Sequence, residues 1–156
     1  MTDDRIFVLE FVAVQLVVVS AMIHVVVGVM GWWTWFEAAI PLKAGIRYPS
    51  LIFSGIALLG GIGYAHTREN RRPFYAAGIV AMAGYIVGYF LWHMLGHRKY
   101  ILFGDGAGTE QLSVQWFLDH LLAGPAEFGA FVVEVAAIVV LAALLYVTRE
   151  DTHTSS

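Results

Sequence analysis

Four long apolar runs dominate the chain, at residues 6–31, 49–65, 73–96 and 125–147. A helix needs about 20 mostly apolar residues to cross the hydrocarbon core of a bilayer. All four runs come close to or exceed that length, the second being the shortest and richest in glycine. Pro49, Pro73 and Pro125 stand at the start of three of them, where a missing backbone N–H costs nothing. The pattern predicts an all-α integral membrane protein: one domain over residues 1–156, built as a bundle of four transmembrane helices.

Polar residues gather between the runs. The first connection is aromatic ("WWTWFEAAIPLKAGIRY"), the second a tight basic turn ("HTRENRR"), and the third is longer ("RKYILFGDGAGTEQLSVQWFLDHLLA"). In the third, Thr109 is placed to cap a short interfacial helix with Leu112, Trp116 and Phe117 on one face. Residues 148–156, "TREDTHTSS", are expected to be a polar disordered tail. Small residues recur at helical spacing, with Ser20, His24 and Gly28 on the first span and Gly84 and Gly88 on the third. Rows of this kind let membrane helices approach closely, which favours a compact bundle.

Composition agrees with a lipid solvent: 59% of residues are hydrophobic and 13% charged, against about 25% charged in ordinary soluble chains. The absence of cysteine removes disulfides, thiolate metal sites and iron–sulfur clusters. The net charge of −3 and the lack of a long basic run give no sign of nucleic acid. The start, "MTDDRIFVLEF", is acidic where a signal peptide is basic, so none is expected. An even number of spans puts both termini on one side. That side carries Arg5, Arg68, Arg71, Arg72 and Arg149, and the other carries Lys43, Arg47, Arg98 and Lys99. The narrow excess predicts a multi-pass protein of the cell membrane with both termini cytoplasmic. All five tryptophans fall on the opposite side, as an interfacial belt or a platform for quinone or lipid headgroups.

Candidate chemistry lies in the ionisable residues of the spans, which are costly in lipid and tend to face a bundle interior. His24 and His93 sit at depths that differ by only about 3 Å when each is counted from the middle of its own run. They are the expected axial ligands of haem b. His93 and His97, four apart, could instead join His120 and Glu127, with Asp119 nearby, around zinc or copper. His120, Glu127 and Glu134 recur every seven residues on one stripe, and Glu134 and Glu10 are the candidate proton-relay groups. A wholly structural reading also stands: histidines near helix ends, such as His66 and His153, are often interfacial, and a buried glutamate often just bonds a neighbouring helix.

Three functions follow from these residues. The first is a membrane redox component with a bis-histidine haem or metal near the outer face, exchanging electrons with a quinone. The second is a cofactor-free structural or accessory subunit that meets partner membrane subunits or further copies of itself. The third is a small transporter of protons, ions or a solute. In span number, length and the spacing His24-x-x-x-Gly28 the chain resembles small four-span proteins of the DoxX-like kind, some of which serve quinone-linked oxidoreductases. Those features are too general to assign it to that family. No phosphate-loop lysine, nucleophile elbow or kinase signature is present.

Overall fold

A computed structural model describes residues 3–37, 47–94, 118–119, 121–122 and 124–153. They form four long helices: α1 (Asp3–Glu37), α2 (Arg47–His66), α3 (Arg72–Met94) and α4 (Pro125–His153). Each is long and apolar enough to cross a membrane. The interfacial helix expected around residues 109–117 lies outside the described residues.

The helices form although α1 is rich in valine, a modest helix former, because a long apolar segment that bonds its backbone groups internally is the form an apolar surrounding favours. The ends are set by local chemistry. Thr67 and Arg68 donate their amides to the Tyr64 and Ala65 carbonyls, closing α2. The Asn70 side chain accepts from the Arg72 amide, opening α3, and Pro73 follows where its missing N–H is harmless. At about 1.5 Å per residue, the 35 residues of α1 reach about 52 Å, well beyond the ~30 Å of hydrocarbon. Its last turns, with exposed Trp32, Trp33 and Phe36, therefore extend past the ends of the shorter helices. α4 continues to His153, through the first part of the polar tail.

Contacts fix an up-down-up-down order. α1 packs on both α2 and α4, α3 packs on α4, and α2 barely touches α3. The closest approach is between α1 and α2. A Cβ built on Gly55 would stand 2.8 Å from the Ala21 carbonyl oxygen, and one on Gly28 would stand 2.9 Å from the Tyr48 carbonyl oxygen. No side chain fits there without separating the helices. Gly84 and Gly88 behave otherwise: a Cβ on either meets nothing within 4 Å. The expectation that this row packs helix against helix is thus corrected for α3, where the glycines border open space.

The burial pattern is inverted relative to a soluble protein. Phe53, Val80 and Phe7 are among many large apolar side chains left open, whereas Ser20, His24 and Glu134 are 0%, 9% and 4% exposed. An apolar exterior around a partly polar interior is the pattern of a multi-pass membrane protein. The apolar core, with Ala13, Val17, Met82, Ala137, Leu141 and Leu144, lies between this polar group and the end of the bundle that holds both termini. That end is called the terminal face below, and the opposite end the distal face.

Candidate functional site

All four helices contribute one or two polar side chains to a single buried group. His24 of α1 points its Nδ1 at the Ser20 carbonyl oxygen, 2.8 Å away. A carbonyl only accepts, so Nδ1 carries a proton and Nε2 is the nitrogen turned into the bundle. Nε2 lies 3.4 Å from Oε1 of Glu134 on α4. The imidazole lies flat against the ring of Tyr85 on α3, with centroids 3.7 Å apart and planes 14° from parallel. Tyr85 then donates its hydroxyl to Ser54 of α2 at 2.9 Å, and Ser54 donates to the Leu51 carbonyl.

Charge accounting limits the states of this group. A lone carboxylate or imidazolium buried here would cost several kcal/mol. With Nδ1 already protonated, one further proton shared between Nε2 and Glu134 makes the pair neutral overall, either as neutral imidazole with carboxylic acid or as an ion pair. Gaining or losing that proton leaves a net charge between the helices. Either change of charge is costly unless water or a counter-charge reaches the pair.

Two cavities meet at Tyr85. The distal one, of about 370 Å³, has His24, Tyr85 and Glu134 at its floor and Arg47, Trp92 and Glu127 toward its mouth. The Arg47 guanidinium lies 4.7 Å above the Trp92 ring and 5.4 Å from that of Tyr48. The other, of about 680 Å³, runs between α2 and α3 from Ser54 and Tyr85 down to His66 and Arg71. At its terminal end Glu10 of α1 accepts hydrogen bonds from Arg71, at 2.5 Å, and from the Tyr75 hydroxyl. This second cluster ties the start of α3 to α1.

Of the residues expected from sequence, His24 and Glu134 are in contact, and Glu127 lines the same cavity. Glu10 is fourteen residues from His24, about 21 Å along α1, and its partners are Arg71 and Tyr75 rather than the buried histidine. On α3 the residue level with His24 is Tyr85, and His93 follows eight residues later, about 12 Å further toward the distal face. The depths of His24 and His93 thus differ by more than their positions within their own runs suggest. The side chain of His93, and all of His97 and His120, lie outside the described residues. Among the described residues no three His, Asp or Glu side chains converge as a metal would require.

Sequence reasoning missed Tyr85, Ser54 and the partners of Glu10. Tyr85 carried a usable signal: tyrosine in a membrane span favours the interface, whereas this one sits well inside its run. Comparison with known protein families, with curated proteins and with solved structures finds no match to this chain.

Proposed function

We propose that the chain is a small proton-coupled carrier of the membrane, in which the His24–Glu134 pair exchanges a proton as a small, mostly apolar molecule occupies the distal cavity. One observation carries this reading: the buried pair forms the floor of that cavity and touches the tyrosine at which the second cavity begins. A cavity of about 370 Å³ is within the usual range for a small organic ligand, ~300–1,000 Å³. Its walls, with Ile23, Tyr89, Leu91 and Phe131, suit an apolar or aromatic body. A charged or strongly hydrogen-bonding group on that body would reach the pair and change the cost of its second proton. Binding and protonation are then linked, which is the thermodynamic requirement for coupling. The Tyr85–Ser54 bond joins α3 to α2 where the helices otherwise barely touch, and it is the contact that a conformational change of the carrier would break.

The test combines infrared titration with transport. In reconstituted protein a carboxylic-acid C=O stretch is expected to change with pH, to vanish in Glu134→Gln and to shift in His24→Gln. Electrogenic currents evoked by a panel of small amphiphilic anions and cations on supported membranes should disappear in Glu134→Gln. A spectrum unchanged by Glu134→Gln would sink the proposal.

A second reading rests on the Nδ1–Ser20 bond. A metal-bound histidine usually donates its other N–H to a carbonyl, leaving the bare nitrogen for the metal. In this reading His24, with His93, holds haem b or a zinc or copper ion, and the chain is a redox component that exchanges electrons with a quinone. Absorption spectra of oxidised and reduced protein, with elemental analysis, separate the two readings. Haem bands lost in both His24→Ala and His93→Ala would favour the second. A colourless, metal-free protein that carries no current would leave an accessory subunit.

A further inference from the structure

The cleft between α2 and α3 is independent of the proton-exchanging pair in what it could bind. Among the described residues α2 and α3 make few contacts with each other, so the cavity of about 680 Å³ lies along the seam where they part. From Ser50 to His66 it follows α2 for sixteen residues, about 24 Å, which is longer than the ~15 Å of one leaflet of a ~30 Å hydrocarbon core. Its walls are apolar between two polar ends, and a Cβ on Gly61 would meet nothing within 4 Å.

The terminal end of the cleft is basic. His66 and Arg71 line it, with Arg68 and Arg72 alongside in the same turn. Glu10 already neutralises Arg71. Arg68 bonds the Tyr64 hydroxyl and lies 4.5 Å over that ring, and among the described residues no carboxylate comes within ion-pair distance of Arg68 or Arg72. Arg68 and Arg72, without a carboxylate partner among the described residues, thus belong to the turn that closes the terminal end of the apolar slot, beside the lining residues His66 and Arg71. Basic pockets between membrane helices select anionic headgroups, and the guanidinium fork matches phosphate.

We infer that the α2–α3 cleft binds one anionic membrane lipid, with a hydrocarbon chain lying between Ala57, Gly61, Ala77 and Ala81 and the phosphate held by Arg68 and Arg72. The chain completes the wall that α2 and α3 leave open, and the headgroup anchors the tight turn between them.

Native mass spectrometry of the purified full chain, titrated with dioleoylphosphatidylglycerol or dioleoylphosphatidylcholine, tests this directly. One phosphatidylglycerol per chain is expected, bound about tenfold more tightly than phosphatidylcholine. Gly61→Phe and Ala77→Phe, each filling the slot from one wall, should abolish the bound lipid while circular dichroism stays helical. Arg68→Gln with Arg72→Gln should leave the slot intact and reduce phosphatidylglycerol to the phosphatidylcholine level. This last variant decides the question even if the phenylalanine variants fail to fold. Equal binding of the two lipids by the unaltered protein, or retention of lipid in a folded Gly61→Phe, overturns the inference. So does a lipid-free dimer that Gly61→Phe dissociates, because a second copy of the chain would then fill the cleft.

Discussion

His24 shows how much a single residue depends on its surroundings. Its ring is held from three directions: by the Ser20 carbonyl, by the Tyr85 face and by Glu134. Removing it leaves a glutamate buried with no partner for its proton or its charge. His24→Ala should cost about 3 kcal/mol of stability, in line with other broken buried pairs. The double variant His24→Ala with Glu134→Gln should recover much of that, since no ionisable group is then stranded. Denaturant unfolding of the four proteins in a double-mutant cycle measures the coupling. Tyr85→Phe keeps the stacked ring and deletes only the bond to Ser54, so a loss of about 1 kcal/mol is expected. At the terminal end, Glu10→Gln should matter less, because Arg71 is 38% exposed at its side chain and water screens the pair.

Between elements, the glycines divide by what lies opposite them. Gly28 and Gly55 allow α1 and α2 to meet at backbone distance, so Gly55→Leu should separate them and destabilise the fold by about 1–3 kcal/mol. Gly84 faces open space, and Gly84→Ala should leave stability unchanged or raise it by up to about 1 kcal/mol, because alanine is the better helix former. Thermal unfolding in detergent compares the two. The contrast was hidden in the sequence: a row of small residues marks positions where nothing large is needed. Whether a neighbouring helix or a cavity uses that room depends on the helix's rotation, and periodicity alone does not give that.

For the whole molecule, the helix directions place the α2–α3 turn and the end of α4 on one face, with the start of α2 on the other. If the four helices cross a bilayer, cysteines at Asn70 and Thr148 should react with a membrane-impermeant maleimide from the same side. One placed at Trp33 should react from the other. Labelling of all three from one side would contradict four crossings. On the apolar outer surface Val80 is 72% exposed, and if α3 crosses a bilayer Val80→Arg should impair its insertion by about 3 kcal/mol.

Span number, helical class and the candidacy of His24 and Glu134 were legible without coordinates. Hydrophobic length is a property of the chain alone, and an ionisable residue flanked by apolar runs marks itself by the cost of placing it in lipid. The partners were not legible. That Glu134 meets His24, that Glu10 instead takes Arg71 and Tyr75, and that Tyr85 lies level with His24 all depend on the rotation and axial shift of one helix against another. Depth estimated within each run missed that shift because runs of different length need not share a midpoint. The cleft between α2 and α3 belongs wholly to the tertiary structure: it exists because α1 and α4 each bind two neighbours while α2 and α3 hardly bind each other. Local physics determined what each helix is, and only packing decided which side chains meet.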